Sequence, residues 1–142
     1  MSNFFARNIQ DASVPATTWA LSATTGTATK SGIIDLGLEA VFAPEGVEIE
    51  VAVPALPAGI VVASAVCQIG VEYSSSSSFA TTTRSDVTVI TVATIGLPVQ
   101  ALRYRIPSDA PRYLRGTVNL NTAASAGGAT AATYSATITP LF

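Results

Sequence analysis

For acid–base or nucleophilic chemistry the 142-residue chain offers nine Asp/Glu, seven Lys/Arg, one cysteine and no histidine. The missing histidine removes Ser–His and Cys–His nucleophile pairs, imidazole metal ligands and the commonest general base together. Carboxylates are what remains. Glu48 and Glu50 lie two apart, so on a strand they project from one face with roots roughly 7 Å apart. Glycosidase carboxylates share that spacing, but so do two solvated acids, and no aromatic sugar platform surrounds this pair. Asp35, Glu39, Glu48 and Glu50 supply oxygen for a calcium ion, yet no loop carries the dense acidic ligand run with its glycine. Cys67 lies on the apolar side of its segment with no neighbour to lower its pKa, and reads as a core residue. Thr27-Ala28-Thr29-Lys30 is not a Ser-x-x-Lys nucleophile motif. Phosphate-binding glycine loops are absent. Trp19 reads as filling an edge of the core. The expectation is a chain with no catalytic residue, no cofactor, no metal and no enzymatic activity.

Charge placement says more than any single residue. Through Val71, Arg7 and Lys30 oppose Asp11, Asp35, Glu39, Glu45, Glu48 and Glu50, a balance of −4. From Glu72 onward, Arg84, Arg103, Arg105, Arg112 and Arg115 oppose Glu72, Asp86 and Asp109, a balance of +2. Arginine offers planar, bidentate pairing and is enriched at interfaces. Arg103, Arg105, Arg112 and Arg115 are therefore the candidate subunit or partner contacts. The plainer reading has Arg103, Arg105 and Arg115 paired across strands with Glu48 and Glu50. A net charge of −2 and a pI near 4.9 argue against a partner recognised by its phosphates.

The elements that position these groups are strands. Threonine and valine recur, and both are β-branched residues suited to a pleated surface. Val47, Ile49, Val51 and Val53 alternate with Glu48, Glu50 and Ala52. Cys67, Ile69, Val71 and Tyr73 alternate with Gln68, Gly70 and Glu72. Leu102, Tyr104 and Ile106 oppose Arg103 and Arg105, while Leu114, Val118 and Leu120 oppose Tyr113, Arg115, Thr117 and Asn119. This period of two marks strands with one buried and one wet face. Further strands are expected at Ile33–Leu36, Val87–Ala93 and Thr133–Thr139. Val87-Thr88-Val89-Ile90-Thr91-Val92 is apolar on both faces and reads as a central strand or one covered by a partner. Turns are expected at Pro44-Glu45-Gly46, Pro57-Ala58-Gly59, Pro107–Pro111 and Ala126-Gly127-Gly128. Ser74–Ser78 and the Ala/Thr/Gly tract from Thr122 to Thr133 read as solvent loops.

Apolar residues make up 49% of the chain and charged ones only 11%, against about 25% charged in ordinary soluble domains. That excludes a disordered chain and describes a surface that repels its neighbours weakly. A single cysteine excludes an intrachain disulfide. The apolar stretch Val51–Cys67 is broken by Pro54, Pro57, Gly59 and Ser64 and falls short of the ~20 residues of a spanning helix. No signal-peptide layout opens the chain, so the expectation is a soluble protein made inside a cell. At this length one domain burying roughly two-thirds of its unfolded surface is expected. Short strands with no covering helix must bury their faces against each other. The fold class is thus all-β: an antiparallel β-sandwich, a jelly roll of about eight strands. Residues 1–27 read as an N-terminal arm or extended segment and 28–142 as the single jelly-roll domain.

Three segments resemble a known family. Ala28-Thr29-Lys30-Ser31-Gly32-Ile33-Ile34-Asp35-Leu36-Gly37 is similar to a short Ile-Asp-Leu-Gly strand after a Thr/Ala-rich lead. Gln68-Ile69-Gly70-Val71-Glu72-Tyr73-Ser74 with Ser78-Phe79 resembles a central strand and polar loop. Arg105-Ile106-Pro107 followed by Arg112-Tyr113-Leu114-Arg115 resembles an apolar-Pro, short-loop, Arg-Tyr-Leu-Arg strand pair. Together they resemble the small jelly-roll cement (decoration) proteins of tailed-phage capsids, of the Bordetella-phage type. The segment before Ala28 and the loop near Gly127 depart from that pattern. The resemblance implies a non-enzymatic virion protein, made in the host cytoplasm and bound to the outer capsid surface. There it bridges subunits of the major capsid protein and resists internal DNA pressure. It also implies a homodimer on two-fold axes, with a homotrimer as second choice, and no nucleic-acid or membrane partner. A carbohydrate-binding jelly-roll module, such as a host-surface adhesin, is the alternative, because the same fold hosts lectins.

Overall fold

The computed structural model describes residues 16–36, 48–107, 109–123 and 131–141. Nine antiparallel strands are found among them: β1 (Thr17–Ala20), β2 (Thr29–Lys30), β3 (Ile34–Asp35), β4 (Glu48–Val53), β5 (Val61–Ser74), β6 (Arg84–Thr91), β7 (Gln100–Arg105), β8 (Tyr113–Ala123) and β9 (Ser135–Leu141). A 3-10 turn, Ala131–Thr133, precedes β9. The expected turns at Pro57 and Pro107 close through Ile60 N–H to Pro57 O, 2.9 Å, and Ala110 N–H to Pro107 O, 3.0 Å. Those expected at Pro44–Gly46 and Ala126–Gly128 lie outside the described residues, as does Met1–Pro15.

The strands form two packed sheets, ordered β1-β9-β4-β7 and β2-β8-β5-β6, with β3 also on β8. Hereafter these are the first and second sheets. Counting β2 and β3 as one strand, the chain crosses from one sheet to the other at every connection except the β5–β6 hairpin, which is the wiring of a jelly roll. The alternation along each strand decides what is buried. In β4, Ile49, Val51 and Val53 face inward with no solvent exposure. In β5, Cys67, Ile69, Val71 and Tyr73 are equally buried, and Leu114, Val118 and Leu120 of β8 complete that inner face. From the opposite sheet come Trp19, Ala136 and Ile138.

β2 and β3 are two halves of one strand running along β8. Lys30 stands opposite Thr117, but Ile34 stands opposite Leu114, one residue out of step. Because strand side chains alternate, that single inserted residue exchanges the faces. It turns Ile34 into the core and leaves Lys30 and Asp35 outside.

One expectation needs correction. Val87–Val92 is not central: among the described residues β6 is an edge strand, paired with β5 alone. Its outward valines, Val87 and Val89, are 45% and 57% exposed. Apolar character on both faces does not distinguish a central strand from an edge strand that another surface covers. Of the segment read as an N-terminal arm or extended segment, the residues from Thr17 belong to the sandwich. There β1 pairs with β9, and Trp19, opposite Ala136, is buried. An indole is large enough to anchor a four-residue strand that carries little other apolar surface.

Candidate interaction surface

The outer face of the first sheet carries the carboxylates singled out above. Antiparallel register sets Glu50 opposite Arg103 and Glu48 opposite Arg105. Arg103 Nε approaches Glu50 Oε2 to 3.3 Å on an exposed surface. Glu48 and Glu50 thus face arginines across the strand gap, an arrangement for solvated ion pairs rather than for an acid and a base flanking a bond. The cross-strand pairing expected for Arg103 is present.

Arg115 goes elsewhere. On the outer face of the second sheet it stands opposite Glu72, and its Nε donates to Glu72 Oε2 at 2.9 Å. Lys30 reaches over β8 from β2 and donates to the other carboxylate oxygen, Oε1. Phe79 lies beneath the arginine, with its ring centre 4.2 Å from the guanidinium carbon. The Glu72 side chain is only 13% exposed. Burial by itself would raise its pKa, but the hydrogen bonds and charges of Lys30 and Arg115 outweigh that and hold the carboxyl below its usual value.

Phe79 is delivered to this cluster by the serine loop. Ser74 Oγ donates to Thr81 O, Ser76 N–H bonds Ser74 Oγ, and Ser78 N–H bonds Ser76 Oγ. The loop is a ladder of side-chain-to-backbone bonds, of the kind serine offers in place of regular structure. It closes with Phe79 in the left-handed region, φ +53°. Phe79 is buried, yet it lies outside the core between the sheets and packs against Arg115 instead.

Arg112 forms a two-pronged pair with Asp35, at 2.7 and 2.9 Å, on an exposed surface. The four candidate arginines therefore do not gather into one patch. Arg103 and Arg105 lie two apart on β7, while Arg112 and Arg115 serve the β3–β8–β5 side of the other sheet. Sequence reasoning missed the trio of Lys30, Glu72 and Arg115. Its only local trace was two charges, Glu72 and Arg115, each placed on the wet side of a strand.

Of the remaining residues singled out, Trp19 is buried and donates from Nε1 to Thr29 Oγ1 at 3.2 Å. Cys67 is fully buried, and desolvation pushes its thiol up to about 12. Among the described residues no three of His, Cys, Asp and Glu come together as a metal-holding group. Glu39 of the considered calcium set lies outside those residues. No helix among them is long and apolar enough to cross a membrane.

The surface that does stand out is apolar. Val87 and Val89 lie along the outer side of β6, and Ile95 and Val99 project from the loop that follows it, 63% and 66% exposed. Gly70, opposite Val87, lets β6 lie close to β5: a Cβ there would meet Asp86 O at 2.3 Å. Comparison with protein-family models and with curated proteins finds no match.

Proposed function

We propose that this chain is a non-enzymatic virion structural protein. It acts as a capsid cement protein that binds the outer surface of an icosahedral phage head, as a homodimer, and bridges subunits of the major capsid protein. The observation that carries this reading is the kind of surface on offer. Most charged side chains of the outer faces are engaged in intramolecular pairs, whereas large apolar side chains stand exposed along β6 and the following loop. Exposed apolar surface beyond isolated residues marks contact with other macromolecules. A rigid sandwich repeated over a lattice gains strength by avidity, so each contact can be weak. The sequence resemblance to cement proteins points the same way. The carbohydrate-binding reading needs exposed aromatic faces; among the described residues Trp19, Tyr73 and Phe79 are buried and Tyr104, Tyr113 and Tyr134 are half-buried, so none is fully exposed.

The test is co-sedimentation of the purified chain with heads of the phage that encodes it, stripped of this protein. Saturable binding at a stoichiometry set by the lattice, with heads then surviving higher temperature, is the expected result. Absence of binding at every salt concentration, or reproducible binding on a glycan array in its place, overturns the reading.

A further inference from the structure

Each sheet has two edges, and three of the four are protected against pairing with another chain. β1 is four residues long. β2 and β3 are two-residue pieces separated by the one-residue slip. β7 carries Arg103 and Arg105 outward. Short strands, bulges and charges are the usual guards of a sheet edge. β6 has none of them beyond its first turn of residues. It runs eight residues with no proline, and from Val87 to Thr91 it bears no charge. Arg84 and Asp86 sit at its start, paired with each other at 3.5 Å.

The ladder tells which backbone groups are open. Val92 N–H bonds Ala65 O. By the alternation of antiparallel pairs, Ile90, Thr88 and Asp86 also turn their N–H and C=O toward β5. Ser85, Val87, Val89 and Thr91 turn theirs to the open edge, and these same residues place their side chains on the exposed outer face.

We infer that β6 pairs antiparallel with β6 of a second copy about a two-fold axis through Thr88. In that register Val87 faces Val89 of the copy, and Ser85 faces Thr91. Every open N–H and C=O from Ser85 to Thr91 then meets its complement, and the exposed valines of both copies cover each other. Asp86 faces Ile90 of the copy, and Arg84 falls beyond the paired segment, so no like charges meet. A shift by one residue would set open groups against groups already bonded to β5. This pairing joins the two second sheets into one continuous sheet. It rests on the homodimer in the proposed function and is independent of shell binding.

Light scattering across a concentration series, with cross-linking, tests it. The wild-type chain should reach twice its 14.5 kDa mass, and Val89→Lys should stay at the single-chain mass while keeping a cooperative melt, lowered only by the loss of dimer stabilisation. Thr88→Cys should form an interchain disulfide on oxidation, because directly opposed residues of a non-hydrogen-bonded pair have Cα atoms about 4.5 Å apart. Val87→Cys should not, since its counterpart lies diagonally, roughly 7–8 Å away. Native Cys67 is buried and does not compete. Should Val89→Lys lose that cooperative melt, the contrast between the two cysteine variants decides. A wild-type dimer that survives Val89→Lys and leaves Thr88→Cys uncross-linked overturns the β6 pairing while the dimer stands on another surface. A wild-type monomer at every concentration overturns both, and sedimentation with heads then judges the cement role alone.

Discussion

Replacing Glu72 by glutamine keeps its shape and removes its charge. Two cations lose their counter-ion: Lys30, 32% exposed, and Arg115, 22% exposed. A hydrogen bond to a charged group is worth about 1.5–3 kcal/mol. Lys30 is partly solvated and the amide of glutamine still accepts one bond, so the loss should be about 2–3 kcal/mol rather than twice the upper value. For a domain near 150 residues, where 1 kcal/mol moves the melt by ~4 °C, that is a fall of about 10 °C. Circular-dichroism melts at pH 7, at matched chain concentration, measure it. The pH dependence gives a second check. The folded carboxyl titrates below its ordinary value of 4.5, so its contribution is fully present above that value and disappears as pH falls through the folded pKa. The gap between wild type and Glu72→Gln should therefore close in acid. Equal melts at pH 7, or a gap that stays constant down to acid unfolding, would refute the assignment of this trio as a stabilising cluster.

Other substitutions probe the interior. A Cβ on Gly116 would stand 2.7 Å from a ring carbon of Trp19, so Gly116→Ala should cost about 1–3 kcal/mol by overpacking. It should also shift the emission of Trp19, the only tryptophan; an unchanged spectrum and melt would contradict that contact. The Tyr73 hydroxyl is buried with no hydrogen-bond partner among the described residues, so Tyr73→Phe should be neutral or slightly stabilising. A loss above about 1 kcal/mol in a urea titration would argue against an unpartnered hydroxyl. Cys67, with its thiol raised to about 12 by burial, should resist a disulfide reagent at pH 8 in the folded protein and react once denaturant is added. Rapid labelling without denaturant would count against it.

The local part of this architecture is written in short stretches of sequence. Alternation in Ile49–Val53 and Cys67–Tyr73 identifies strands and their inner faces, because the pleat repeats every two residues whatever lies across from it. The absence of histidine and the single buried cysteine narrow the chemistry in the same direct way. With no helical stripe in the sequence to supply a covering helix, strands so patterned have to close on one another, which is why the sandwich was legible.

Alternation does not say which strand is an edge or which charges meet. Val87–Thr91 carries an apolar pattern that suits a central strand and an uncovered edge equally, and only its position beside β5, with no further strand among the described residues, resolves the difference. The partner of Arg115 is another case. Glu48, Glu50 and Glu72 all sit on wet faces, but the β5–β8 register sets Glu72 opposite Arg115, 43 residues away along the chain. Lys30 joins from 42 residues away because β2 lies before the slip, between Lys30 and Ile34, that turns Ile34 inward. Sequence alone determined strands β4, β5, β7 and β8, their buried faces and the poverty of catalytic groups, since these follow from residue type and local periodicity. Register, edge position and ion-pair partners were decided by the tertiary structure, because each depends on how distant strands align, and one residue of slip exchanges the two faces of a strand.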